Sequence, residues 1–284
     1  MKKSSAYACI IGAATLWGLI GTFSVPLLAS GFSSASVVAA RAFGAAALLS
    51  LLFGPTKPGA FRIAPRDIRY FIGTGVVSFL LFSWCYFRCI QTSSLAVAAT
   101  LLYTGPTFVT VLSVLLWKEP VTRRKLLALA MTFLGCALVA GIFDARLNLS
   151  GLVFGFGSGF CYALYSIFGR YALAKYSVET VTLWTFLCAA AGSLVFLLRP
   201  AELALLAQPR TLLLALGLAA LSTVAPFLLY TKGLSAVSSS HAAILATIEP
   251  VVAVLVSVLV FGEALTLPAA AGVALILAAV VILR

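Results

Sequence analysis

Residues 237–263 read VSSSHAAILATIEPVVAVLVSVLVFGE. The stretch is apolar enough to cross a bilayer, yet Glu249 and Pro250 stand side by side near its middle. About eleven residues, or roughly 16 Å of helix, separate Glu249 from either end of the apolar run, close to the bilayer midplane. A carboxylate at that depth is costly and marks a functional position by default. The same stretch has an echo 144 residues earlier, in Ser93–Glu119. Aligned without gaps, Ala98, Ala99, Leu101, Pro106, Ser113, Val114, Leu115, Glu119 and Thr122 fall on Ala242, Ala243, Leu245, Pro250, Ser257, Val258, Leu259, Glu263 and Thr266. The pattern predicts a duplicated membrane protein organised around this pair of segments.

Composition agrees. Hydrophobic residues make up 63% of the chain and charged residues 9%, with a mean hydropathy of +1.15. A soluble domain has about 45–50% apolar and about 25% charged residues. The reading is therefore an all-α integral membrane protein. Net charge is +12, but the basic residues sit in short connectors, which is a topology and anionic-lipid signal and not a nucleic-acid surface. The six cysteines lie inside apolar runs and read as small core residues, with neither a metal site nor a disulfide framework. The basic start and apolar core of MKKSSAYACIIGAATLWG continue to Ala29 without a small-residue processing site, so a retained first span is expected.

A criterion of roughly 20 apolar residues gives ten spans. They are Tyr7–Ala29, Ala35–Phe53, Tyr70–Ile90, Leu95–Trp117, Leu126–Phe143, Leu149–Leu173, Val178–Leu198, Leu212–Tyr230, Val237–Phe261 and Leu267–Leu283. The expected architecture is two five-helix repeats, residues 1–145 and 146–284. On one side the ends and loops carry Lys2, Lys3, Lys57, Arg62, Arg66, Arg69, Lys118, Arg123, Arg124, Lys125, Arg170, Lys175, Lys232 and Arg284. The other side carries Arg88, Arg146, Arg199 and Arg210, while Arg41 stays inside a span. Fourteen against four places both termini in the cytoplasm of a plasma membrane. An odd number of spans per repeat inverts the second copy, so Glu119 closes its span inside and Glu263 closes its own outside. Inverted repeats place a substrate site near the midplane between the halves and let two mirror-related conformations alternate access.

Several residues are candidates for that site. Glu249 reads either as a cation- or proton-binding acid, or as a structural acceptor for backbone loosened by Pro250. Its counterpart is Gly105, so the acid belongs to one repeat only. Pro106 and Pro250 hold equivalent mid-span positions and read as paired helix breaks, either plain packing kinks or, as the symmetry of the pair favours, gating elements, since proline removes a helical hydrogen bond and frees carbonyls toward a cavity. Arg41 reads as a snorkelling residue, a carboxylate or phosphate clamp, or a partner of Glu249. His241 reads as a helix-end hydrogen-bonding residue or a proton relay. The aromatic candidates are Trp17, Phe23, Trp84, Tyr86, Tyr103, Tyr162, Tyr165 and Tyr230, with Tyr86 and Tyr230 equivalent under the 144-residue offset. Gly151, Gly155 and Gly159 form a small-xxx-small ladder for close helix approach, within the fold or at a dimer contact. There is no phosphate-loop, HExxH or GxSxG motif. No enzyme, cofactor or metal is expected.

With LWG at Leu16–Gly18, Arg41, GP at Gly105–Pro106, the closing Glu119 and Glu263, and IEPVVAVLVSVLVFGEALT at Ile248–Thr266, the chain resembles the EamA group of the drug/metabolite transporter superfamily. The resemblance covers essentially the whole chain. It implies a central cavity lined by spans one, three and four and by six, eight and nine, with five and ten peripheral. It also implies secondary transport, often proton-linked export of amino acids, metabolites or toxic compounds. The functional expectation is a secondary transporter of a small polar or amphipathic metabolite, an amino acid foremost and export ahead of import, working as a monomer or homodimer. An exporter of hydrophobic cations is the second reading, and a non-transporting scaffold or sensor the third.

Overall fold

A computed structural model describes residues 2–142, 148–194 and 200–283, and among these the chain is helical with no strands. Of the charges counted above, Arg146, Arg199 and Arg284 lie outside the described residues, as do Phe143 and the 195–198 end of the seventh span. Among the described residues, seven helices are long and apolar enough to cross a membrane: α1 Lys3–Ala29, α2 Ser34–Thr56, α3 Pro65–Thr92, α4 Leu95–Trp117, α6 Leu149–Leu173, α8 Pro209–Leu234 and α9 Ser239–Phe261. The other three expected spans coincide with α5 Arg123–Ala140, which opens on three cations, with α7 Val178–Ser193, and with the 17-residue α10 Leu267–Leu283. A short helix, Pro200–Leu206, precedes α8.

The helix starts follow local capping chemistry, in which a short polar side chain accepts from a free N–H of the first turn. Ser33, Ser94, Thr122, Asn148 and Ser177 accept from the backbone N–H three residues on. The N-terminus of α2 gains a second anchor. Glu202 of the short helix accepts from the Ser33 N–H at 3.0 Å and from the Ser36 hydroxyl at 2.6 Å. A carboxylate there also suits the positive end of the helix dipole.

The two stretches that decide the reading share local structure. In each, the helix breaks before the proline and restarts as 13 residues, Gly105–Trp117 in α4 and Glu249–Phe261 in α9. Each proline sits at the start of the restarted segment, where its missing N–H costs nothing. Each segment ends on a left-handed residue, Lys118 with φ 53° and Gly262 with φ 70°. The next N–H, of Glu119 or Glu263, then bonds the carbonyl of Ser113 or Ser257. Thr122 and Thr266 cap the helices that follow. The equivalent Leu115 and Leu259 are 72% and 80% exposed, as side chains facing lipid would be.

The glycine ladder lies inside the fold. A Cβ on Gly151 would lie 2.6 Å from Ser93 Cβ, one on Gly155 2.8 Å from Leu101 Cβ, and one on Gly159 2.7 Å from the Leu101 carbonyl. The ladder thus lets α6 touch α4 and its leading turn, and a dimer role for it is set aside. At the edge, Gly135 of α5 and Gly272 of α10 bring those two helices together in the same way.

Candidate functional site

Breaks and irregular turns surround one cavity of about 640 Å³. Helix α3 runs as a π-helix from Gly73 to Leu81, and α8 does so from Ala220 to Val224. Such segments widen a helix locally and recur at functional sites. Under the 144-residue offset they overlap, and Phe79 falls on Thr223. Arg41 sits between these equivalent residues. Its Nε donates to Thr223 Oγ1 at 3.1 Å, and its guanidinium lies 5.2 Å from the centre of the Phe79 ring. Arg41 therefore faces the cavity and does not snorkel to the surface.

The cavity brings together Trp17, Arg41, Tyr86, Tyr103, Tyr162, Tyr230, Glu249 and Pro250 from α1, α2, α3, α4, α6, α8 and α9. Glu249 and Arg41 are both half-buried, with the cavity as their outlet. Among the described residues no ion pair joins them to each other or to anything else. Proline places Glu249 at the head of the restarted helix segment, where the backbone N–H groups favour a carboxylate.

Two expected site residues lie elsewhere. Pro106 is buried in the helix packing and does not line the cavity. His241 lies in a separate recess, with Nδ1 2.7 Å from Ser238 Oγ. Two of the aromatics also stay out. Trp84 is exposed and packs on Phe154 at 5.4 Å, and Phe23 lies against Gly217. The hydroxyls of Ser78, Ser83 and Ser166 belong to the cavity and had no sequence signal, because a lone serine in an apolar span is unremarkable.

One end of the cavity is shut by an aromatic layer. Phe227 lies 5.2 Å from Trp17, 5.0 Å from Tyr165 and 5.0 Å from Phe186. Two hydroxyl pairs lock the layer, Tyr165 with Thr231 at 2.7 Å and Ser166 with Tyr230 at 2.8 Å. At its far end the cavity reaches Leu28, Ser34, Leu95 and Ala140. Behind the aromatic layer lies the second recess, about 710 Å³, which gathers Lys3, Arg124, Lys125, Arg170 and His241.

This basic face is clasped by charge. Glu119 takes an ion pair from Arg170 and a 2.6 Å hydrogen bond from the Ser240 hydroxyl, with Lys125 Nζ at 3.8 Å. Asp67 accepts from Lys175 and Tyr176, both at 2.8 Å, and Lys57 pairs with Glu179. Each of these clusters ties the first half of the chain to the second. Burial opposes charge on Glu119, but Ser240 and Arg170 outweigh it and, with Lys125, hold its carboxyl below the ordinary 4.5. With the folded value below the unfolded one, this stabilisation is complete above about 4.5 and is lost as pH falls through the lower folded value. The melting-temperature difference between wild type and Glu119→Gln is therefore expected to stay constant from about pH 8 to about pH 5 and to shrink only in stronger acid. A difference that shrinks near neutrality would contradict the clasp.

The profile of the EamA-like transporter family matches residues 4–141 and again residues 149–284. The chain belongs to this family. An Archaeoglobus fulgidus protein described as an uncharacterized transporter is 35% identical over 93% of this chain and 92% of its own. The threonine/homoserine exporter RhtA of Escherichia coli is 27% identical over 74% of this chain and 69% of its own. A solved crystal structure with 18% identity superposes with a TM-score of 0.82 over 99% of this chain and 96% of the other. This EamA-family chain is thus a multi-pass membrane protein of a transporter family.

Proposed function

We propose that this chain is a secondary transporter that exports a small zwitterionic metabolite, an amino acid or close relative, across the plasma membrane by alternating access. The carrying observation is that Arg41 and Glu249 line one cavity with no ion pair between them. Opposite charges held apart at membrane depth suit a ligand with a carboxylate at one end and an ammonium at the other. Arg41 clamps the carboxylate, Glu249 takes the ammonium or the coupling proton, and the aromatic walls fit the side chain. That the similar RhtA is a threonine/homoserine exporter supports the same class and direction.

In this reading the ten spans form two inverted five-helix repeats, 1–145 and 146–284. Both termini are cytoplasmic, and the clasped basic face is the cytoplasmic gate. The structure then corresponds to an outward-facing state. Two family matches in tandem and the shared turns of α4 and α9 support the duplication. Export of hydrophobic cations is the second reading, favoured by Glu249 among aromatics and opposed by Arg41 in the same cavity.

Counterflow in proteoliposomes tests the substrate class. Zwitterionic amino acids are expected to exchange with internal labelled substrate. Their methyl esters, which lack the carboxylate, and their N-acetyl forms, which lack the ammonium, are expected to exchange at least tenfold more slowly, as loss of one charge-assisted contact implies. Exchange of esters and quaternary ammonium dyes alone would select the second reading.

A further inference from the structure

We infer that Ser113 and Ser257 are alternating docking points for the two helix-closing glutamates: a glutamate docked on its own serine holds its face open, and Glu119 clasped to the opposite half holds the basic face shut. The inference rests on the alternating-access reading above. Its starting point is the shared geometry of the two helix ends. In both, the left-handed residue turns the chain so that the glutamate N–H reaches the serine carbonyl six residues back, at 3.4 Å for Glu119 and 3.2 Å for Glu263. The two backbones hold the two glutamate residues beside the two serines in the same way.

The side chains differ. Glu263 is exposed and accepts from the Ser257 hydroxyl. Glu119 is buried and has turned away to Arg170 and Ser240 on the opposite half. The hydroxyl of Ser113 is left fully buried with no hydrogen-bond partner. A buried hydroxyl without a partner is costly and needs an explanation. Its repeat-related twin supplies one: the missing partner is the Glu119 carboxylate, which needs only side-chain rotation to reach it once α4 parts from α6 and α9. The clasped glutamate marks the shut face and the self-docked glutamate marks the open face.

Among the described residues, no matching clasp stands at the other face. The positions equivalent to Arg170 and Ser240 are Pro26 and Ala96, which offer Glu263 neither a cation nor a hydroxyl. The shut state of the basic face is thus held by charge, while the shut state of the other face lacks that contribution. This inequality accounts for a structure that rests closed on the basic side.

The test reads side-specific access and needs no substrate. Ala253 lines the cavity. In a cysteine-free full-length chain carrying Ala253→Cys, reaction with a membrane-impermeant thiol reagent is measured in right-side-out and inverted vesicles. Ser113→Ala removes the dock of the released Glu119, so labelling from the basic face is expected to fall about tenfold, the size of one hydrogen bond to a charged group. Ser257→Ala removes the dock of Glu263 and is expected to act in the opposite sense, raising labelling from the basic face and lowering it from the other. Ser113→Thr keeps the hydroxyl and is expected to behave as wild type. Glu119→Gln, which loosens the clasp, is expected to raise labelling from the basic face. If Glu119→Gln shifts access and the two alanine variants do not move it in opposite directions, the docking assignment is overturned and alternating access stands. If no variant shifts access, both fall.

Discussion

Glu249→Gln is expected to abolish pH-driven accumulation of substrate while leaving one-for-one exchange in place. Glutamine keeps the size and polarity of the side chain and removes the proton site. In wild-type proteoliposomes a gradient of one pH unit, about 1.4 kcal/mol per proton, should support about tenfold accumulation. In the variant the labelled substrate should only equilibrate. The expectation rests on position. A carboxylate that trades a proton for a substrate must face the permeation space and hold no fixed partner. Glu249 lines the cavity, heads a helix segment created by Pro250, and makes no ion pair among the described residues. Accumulation that survives the substitution intact would move coupling elsewhere and leave Glu249 as a ligand for the substrate ammonium alone.

Much of the fold could be read from the sequence because lipid imposes simple rules. Apolar run length alone placed Leu95–Trp117, Leu149–Leu173 and Leu267–Leu283 at the residues where the helices lie. The paired prolines placed the breaks, since proline cannot continue a helix without losing a hydrogen bond. Among the aromatics, those that carried a repeat equivalence or sat beside a break reached the cavity, as Tyr86, Tyr103 and Tyr230 do. What the sequence hid was rotation about the helix axis. Trp84 and Tyr86 are two residues apart, so they point to different faces, and one packs on Phe154 while the other lines the cavity. The π segments were hidden too. Hydrophobic period does not distinguish a π turn from an α turn inside a uniformly apolar span, so the seat of Arg41 between Phe79 and Thr223 left no trace beyond the 144-residue offset itself.

The same offset explains why the acid occurs once. Glu249 maps onto Gly105, and Tyr162 maps onto Gly18. In one half, α9 presents Glu249 while α1 supplies Gly18, where a Cβ would lie 2.6 Å from Val252 Cβ and 2.9 Å from the Glu249 backbone carbonyl. In the other, α4 presents Gly105 while α6 supplies Tyr162, whose ring Cδ1 would lie 2.8 Å from a Cβ on Gly105. Each crossing holds one large and one small residue, in opposite order. Space at the first crossing goes to the α9 backbone that carries Glu249 and to Val252, and at the second to an aromatic wall. Gly105→Glu is therefore expected to destabilise severely, with overpacking at about 1–3 kcal/mol added to the burial of a new charge at about 2.5–3.5 kcal/mol. Tyr162→Gly relieves the first cost and not the second. In a double-mutant cycle followed by unfolding in detergent, the pair should be more stable than the sum of the singles by about 1–3 kcal/mol, the range seen for residues in contact. Additivity within about 0.5 kcal/mol would mean that the ring does not exclude an acid from the first repeat. The lone carboxylate would then need a reason other than space, and the swapped crossings would no longer explain why only one half of the cavity carries it.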